Sequence, residues 1–156
     1  MHRAIAHLPP NHGRGAAFDS IILAHNERRL RRKLLVAKGG TEIMVDFANT
    51  LTLDHMGALE LEDGRLVEVQ AAVEPLYEIQ APDRGHLLRI AWHIGNRHTS
   101  AQLEEGRILI KRDHVLKTML EGLGAKVRLV DEPFFAERGA YHSHGHEDHA
   151  LLARRP

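Results

Sequence analysis

The chain has 156 residues, and its 21 Lys and Arg side chains balance 21 Asp and Glu side chains, so its formal net charge is zero. This balance argues against a general nucleic-acid-binding protein, which normally carries a basic excess. Cysteine is absent, which excludes disulfides and thiolate metal ligands. The apolar runs are also too short to span a membrane, and we expect a cytoplasmic protein.

The first half of the chain has the pattern of a small β domain. Pro9-Pro10, Gly13 and Gly15 predict loose order over residues 1–17. The Asp63-Gly64 pair between two alternating runs is typical of a hairpin turn. We therefore predict an all-β domain over residues 1–72. Short apolar or alternating runs predict its strands at residues 20–24, 34–37, 42–47, 59–61 and 65–69.

The second half predicts a strand, a helix, two strands, a helix and a strand, which is a ferredoxin-like order. Asp83 and Asp113 are predicted helix N-caps, and Gly95-Asn96 is predicted to end the first helix. Pro75 places its strand at an edge, or itself early in the strand. We therefore predict an α+β protein, with this second domain at residues 73–135 and a flexible tail at 136–156. The predicted strands are residues 73–80, 101–104, 107–111 and 126–130.

The tail contains four histidines within eight residues: His142, His144, His146 and His149. Neutral imidazole is the commonest protein ligand for divalent transition metals, and without thiolates it suits Ni(II), Zn(II) or Cu(II). An incidental disordered terminus or a purification tag is the alternative interpretation. The interspersed Ser, Gly, Glu and Asp differ from a plain tag, so we favour metal capture.

His98 follows the predicted end of the first helix of the second domain, and it is a candidate metal ligand. A single histidine in such a turn is usually only solvated, and one imidazole cannot hold a metal. Two compact lobes of about 75 residues have marginal cores, which favours a homodimer. In a twofold dimer His98 could face its own copy, and tail histidines could complete the site. His93 is assigned to packing or capping.

His114 is a possible secondary ligand because it lies in the first turn of the second predicted helix. The helix dipole disfavours a charged imidazolium there. An ordinary exposed residue is an equally good interpretation. The basic run from Glu27 to Lys33 is predicted to be a solvated turn, although it could dock an acidic partner.

Three segments resemble the urease accessory protein E family, a family of nickel metallochaperones. They are W-H-I-G-N-R-H from Trp92, I-L-I-K-R-D-H-V-L-K-T-M-L-E-G-L-G-A from Ile108, and G-A-Y-H-S-H-G-H from Gly139. The resemblance implies a peptide-binding-like β domain of the heat-shock chaperone type, and a ferredoxin-like domain that forms a head-to-head dimer. It further implies nickel binding by His98 across the dimer axis, with His144 and His146 as tail ligands.

The resemblance also implies partners, namely the urease accessory GTPase and the urease activation complex. His114 matches a histidine that forms a peripheral metal site in some members. Those members have a further histidine two residues earlier, where this chain has Arg112. Because a guanidinium does not ligate metals, a strong separate peripheral site is not expected.

Two other functions are compatible with the same residues. A nickel or zinc buffer without a client would need the same histidines, since imidazole separates these metals poorly. A metallohydrolase would need a rigid site with an open position and a nearby general base. A flexible tail provides neither a rigid site nor a positioned general base, so we expect a protein that is not an enzyme.

Overall fold

The computed structural model describes residues 1–139. These residues form two compact units, Met1–Ala72 and Val73–Arg138. The predicted α+β class is confirmed. The part of the predicted tail from residue 140 onward, with its histidines, lies outside the described residues.

The first unit is built on a six-stranded sheet with the order β2-β6-β5-β1-β4-β3. Its apolar core takes side chains from most of these strands, and Ile43, Val45, Leu59 and Leu61 are fully buried. The predicted hairpin is the antiparallel pair of β5 and β6. The elements are β1 His2–Leu8, β2 Asp19–Leu23, the short helix α1 His25–Arg28, β3 Arg29–Val36, β4 Glu42–Thr52, β5 Ala58–Leu61 and β6 Leu66–Ala71.

The prediction of loose order over residues 1–17 is wrong for its first half, because β1 is an inner strand. It pairs parallel to β4 and antiparallel to β5. Its side chains carry a weak apolar signal, since only Ala4 is buried. The order of this segment comes from hydrogen bonds to two distant strands, which a local pattern does not report.

The prediction that the basic run is a turn was also wrong, since the run forms the end of α1 and the first part of β3. Arg28 is 2% exposed, and its Nη1 donates to the Leu23 carbonyl over 3.2 Å. Arg31 donates from Nε to the Phe47 carbonyl over 3.3 Å. Arg31 and the other basic residues of β3 lie on an edge strand, where charge is a common way to keep such an edge from aggregating.

The second unit contains a four-stranded antiparallel sheet with the order β10-β7-β9-β8. This βαββαβ succession is the predicted one. Pro75 lies early in β7 but not at a sheet edge, and it is accommodated because β9 pairs with β7 only from Leu76 onward. The elements are β7 Val73–Gln80, α2 Arg84–Asn96, β8 Gln102–Leu103, β9 Ile108–Lys111, α3 His114–Gly122 and β10 Lys126–Pro133.

Both helices of the second unit begin where the sequence predicted. A side-chain oxygen of Asp83 accepts from the His86 N–H over 2.8 Å, and one of Asp113 accepts from the Leu116 N–H over 3.1 Å. The helices pack on the sheet through buried aliphatic side chains such as Ile90, which positions the carboxyl end of α2. Among the described helices, none combines the length and apolar character that crossing a bilayer requires.

Candidate metal-binding site

The carboxyl end of α2 closes in a Schellman motif that contains His98. The His98 N–H donates to the Gly95 carbonyl over 3.0 Å, and the Thr99 N–H donates to the Ile94 carbonyl over 3.4 Å. This pattern requires a left-handed residue after the cap, a position that glycine usually takes. His98 takes it here, with a φ of 56°.

The end of α3 shows the same motif with the usual residue. The Gly124 N–H donates to the Glu121 carbonyl, the Ala125 N–H donates to the Leu120 carbonyl, and Gly124 has a φ of 88°. A residue with a β-carbon is disfavoured in this conformation by roughly 1–2 kcal/mol. The chain thus has a histidine at a position where glycine would be easier.

Other non-glycine residues share the left-handed conformation, but in a different context. Asn11 and Met56 have φ values of 62° and 65°, and both lie in turns. Asparagine and histidine both adopt this region more readily than most residues do. His98 differs because it lies two residues after a 13-residue helix that packs on the sheet.

The end of α2 and the turn after it carry exposed side chains. His98 is exposed, and Trp92, one turn before the end of α2, is 65% exposed. The His93 ring meets the Trp92 ring edge-on, with the centroids 5.1 Å apart. His93 is therefore occupied in a ring contact, while the His98 imidazole lies at the surface.

His114 is the first residue of α3 and is exposed. Nearby Arg112 is occupied by the sheet. Its Nε donates to the Leu76 carbonyl over 3.2 Å, and its Nη2 donates to the Val130 carbonyl over 3.1 Å. Arg112 thus links β7 to β10 at the position where the family resemblance would place a second histidine.

Within residues 1–139, the structure brings together no group of three or more His, Asp or Glu side chains that could hold a metal ion. His98 and His114 therefore belong to no such group in the described part of one chain. The predicted ligands His142, His144, His146 and His149 lie outside that part.

Three histidines of the first unit have hydrogen bonds that their sequence spacing did not reveal. His7 Nε2 accepts the Asp54 N–H over 3.1 Å, and His55 Nδ1 accepts the Ala71 N–H over 2.9 Å. His12 Nδ1 accepts the Arg14 N–H over 2.9 Å. Burial lowers the pKa of His7, against the opposing effect of the Asp54 carboxylate. These accepting nitrogens stabilise turns and are not available as ligands.

The sequence analysis did not detect the left-handed conformation of His98. A signal for it exists, because the segment from Gly95 to Thr99 ends a helix without a glycine at the left-handed position. The segment Gly122-Leu123-Gly124 ends α3 with one. Only the observed hydrogen bonds show that the two helix ends use the same motif.

The chain matches known proteins along nearly its whole length. The model of the UreE urease accessory protein N-terminal domain matches residues 1–72, and that of the C-terminal domain matches residues 74–153. The urease accessory protein UreE of Agrobacterium fabrum is 54% identical over 129 residues, covering 83% of this chain and 80% of that protein. The urease accessory protein UreE of Rhizobium rhizogenes is 48% identical over 149 residues, covering 96% and 89%.

Proposed function

Because the chain belongs to the UreE family of urease accessory proteins, which has a role in urease maturation, we propose that it is a nickel metallochaperone. His98 from each of two subunits binds one Ni(II) ion between them. His142, His144, His146 and His149 supply further imidazoles. The ion then passes to apo-urease through the urease accessory GTPase and the activation complex.

The observation that carries this proposal is the exposed imidazole of His98 in a left-handed conformation. This conformation costs stability. The described part of one chain contains no complete metal site. In a twofold dimer, each subunit presents the same residue across the axis. Two copies of His98 then provide two donors where one chain provides one.

The apolar surface near His98 supports association at this end of the second unit. Trp92 is a large side chain that is 65% exposed, and such surfaces often mark protein–protein contacts. We therefore place the homodimer contact on the second unit, near the end of α2. The domain at residues 73–135 would bind metal and dimerise, the domain at 1–72 would contact partner proteins, and the tail at 136–156 would capture ions.

Delivery requires ligands that release the ion easily. The chain has 13 histidines and no cysteine, so an imidazole site can form without a closed thiolate cage. Zn(II) and Cu(II) also favour imidazole and would compete with Ni(II). Protons compete as well, so nickel affinity is expected to fall as the pH drops through about 6.5.

The test is calorimetric titration of the purified protein with Ni(II), comparing His98→Ala with the matched control His114→Ala. Both residues are exposed histidines in the second unit. We expect His98→Ala to remove the tightest nickel site, and His114→Ala to leave it in place. Unchanged tight binding in His98→Ala would refute the proposed site.

A pull-down with the urease accessory GTPase tests delivery separately from binding. A complex that forms only with nickel supports a metallochaperone. Tight nickel binding without such a complex would contradict delivery and would instead support a metal buffer, since imidazole ligands alone do not select a client protein.

A further inference from the structure

Strand β3 forms an edge of the sheet in the first unit. It lies at one end of the strand order and pairs with β4 on one side. From Arg32 to Val36 this pairing runs in unbroken register. The other side of an edge strand presents backbone N–H and C=O groups with which an added strand can pair. The regular part of β3 is therefore a template for one more strand.

The middle of β3 is open on both faces of the sheet. Successive side chains of a strand point to opposite faces, yet all four residues from Arg31 to Leu34 are exposed. Leu34 and Val36 are 45% and 59% exposed, and Leu34 lies opposite Met44 of β4. A strand added here can therefore place side chains on both faces, with apolar contacts beside Leu34 and Val36.

The charges on β3 have a single sign. Arg31, Arg32 and Lys33 are exposed, and the strand contains no acidic residue. Arg32 Nη2 lies 3.6 Å from Asp46 Oδ2 on β4, in an exposed ion pair of the weak kind. The edge strand β10 of the second unit differs, because its sequence K-V-R-L-V-D-E-P carries both signs. The β3 edge is therefore basic, although the whole chain has a formal net charge of zero.

These features together specify the chemistry of a partner. We propose that β3 binds an extended acidic segment of another protein, which joins the sheet as a further strand. The carboxylates of this segment lie opposite Arg32 and Lys33, and its apolar side chains lie beside Leu34 and Val36. In this mode of recognition the backbone hydrogen bonds supply affinity, and the side chains supply specificity.

The charge and the backbone of β3 select against two other occupants. A second copy of β3 would bring no carboxylate to Arg32 or Lys33 and would add cations of its own. A nucleic acid would neutralise the cations, but it cannot continue the backbone hydrogen-bonding pattern of a sheet. An acidic peptide segment satisfies both the charges and the strand edge.

The inference deepens the proposed function, in which the domain at residues 1–72 contacts partner proteins, and it rests on that function for the role of the partner. Binding of an acidic segment at β3 requires no metal, so it is measured with nickel absent. A protein that binds nickel at His98 but no acidic peptide would contradict the β3 inference alone. A protein that binds the peptide but lacks the nickel site would contradict the proposed metal site alone.

The test is binding of synthetic peptides to the full chain, measured by fluorescence anisotropy in the presence of a chelator. The probe is a short labelled peptide with three adjacent glutamates followed by alternating valine and threonine. A second peptide has glutamine in place of each glutamate. Two further peptides carry N-methyl groups on one or the other set of alternate residues, because alternate residues of a strand direct their backbone groups to the same neighbour.

The protein variant is Arg32→Gln/Lys33→Gln, which removes two cations from β3. The matched control Arg89→Gln/Lys126→Gln removes the same two charges from exposed residues of the second unit. We expect the β3 variant to bind the glutamate peptide about fivefold more weakly, as the loss of two exposed ion pairs predicts. The control should bind it as the unaltered protein does, and the glutamine peptide should bind the unaltered protein weakly.

The N-methylated peptides distinguish strand pairing from attraction by charge alone. We expect one methylated peptide to lose binding and the other to keep it, since only one edge of the added strand faces β3. Equal affinity for the two methylated peptides would overturn the proposal, as would the absence of saturable binding or equal weakening by the β3 variant and its control. Tighter binding of a single-stranded oligonucleotide, lost in the β3 variant, would instead assign this edge to nucleic acid.

Discussion

At the scale of single residues, His98 serves two opposing requirements. Its backbone completes the hydrogen bonds that end α2, for which glycine is the easiest residue. Its imidazole is exposed at the surface, where the proposed metal site requires a donor. Residues that combine an uncommon backbone conformation with a reactive side chain are typical of functional sites.

Replacing His98 with glycine should therefore separate stability from binding. We expect His98→Gly to raise the free energy of unfolding by up to ~1 kcal/mol, because relief of the left-handed conformation exceeds the added freedom of the unfolded chain. Nickel binding at the tightest site should be lost, as in His98→Ala. Urea denaturation and calorimetry measure the two effects. A His98→Gly protein less stable than His98→Ala would contradict this assignment.

His7 predicts a pH dependence of the first unit. Its Nε2 accepts the Asp54 N–H, and burial lowers its pKa. The folded protein thus binds this proton less readily than the unfolded chain, whose pKa is about 6.5. The stabilisation is complete above that pH and is lost as the pH falls through the lowered pKa.

The measurement is urea denaturation at several pH values from about 7.5 down to about 5. His7→Gln keeps an acceptor that does not titrate, so its unfolding free energy should fall less steeply below about pH 6.5. The difference in slope should be at most ~1.4 kcal/mol per pH unit. Equal slopes for both proteins would assign the acid sensitivity to other groups.

At the scale of elements, Arg107, the residue before β9, joins two strands of the second unit, β7 and β10. Its guanidinium donates to Glu78 Oε2 on β7 over 2.9 Å and to Glu132 Oε2 on β10 over 2.7 Å. It also meets Glu104 Oε2 at 3.1 Å. The Glu78 side chain is only 6% exposed and has Arg128 as a second partner at 2.9 Å. The Arg107 cation lowers the pKa of Glu132, and hydrogen bonds to Glu132 and the other carboxylates raise the pKa of Arg107.

Removing this cation should destabilise the sheet. We expect Arg107→Met to lower the free energy of unfolding by ~2 kcal/mol, because the buried Glu78 carboxylate loses one of its two cations. The double variant Arg107→Met/Glu78→Gln should recover part of this loss, since the buried charge is then gone. Urea denaturation near pH 7 measures both. An equal loss in the single and double variants would show that Glu78 is not the source.

Elements with local signals were predicted well, and elements built from distant contacts were not. Asp83 and Asp113 were identified as caps because an N-cap acts within three residues. The inner strand β1 was missed because its order depends on β4 and β5, which follow far along the chain. The basic residues after Glu27 were assigned to a turn because charge suggested solvent, although an edge strand is equally solvated.

At the scale of the whole molecule, the second unit and the tail are proposed to have separate tasks. His98 and Trp92 lie on the second unit, and the four tail histidines follow it. Deleting residues 142–156 should therefore lower the number of nickel ions bound per dimer and leave the dimer intact. Native mass measurement and calorimetry test this. Loss of the dimer, or an unchanged number of ions, would contradict the division of tasks.

The sequence by itself determined the properties that neighbouring residues carry. The βαββαβ order, the two N-caps, the lack of thiolates and the cluster of histidines after Tyr141 are all local or compositional. Family motifs such as the segment from Trp92 to His98 are local too, which is why the family could be identified before the fold.

Only the tertiary structure decided how individual side chains are used. It places His98 at the left-handed position of a helix end, commits Arg112 to the carbonyls of two strands, and puts β1 inside a sheet. Each result depends on hydrogen bonds whose partners are set by packing. A backbone conformation held by a packed helix, or a guanidinium held between two strands, has no counterpart in the pattern of neighbouring residues.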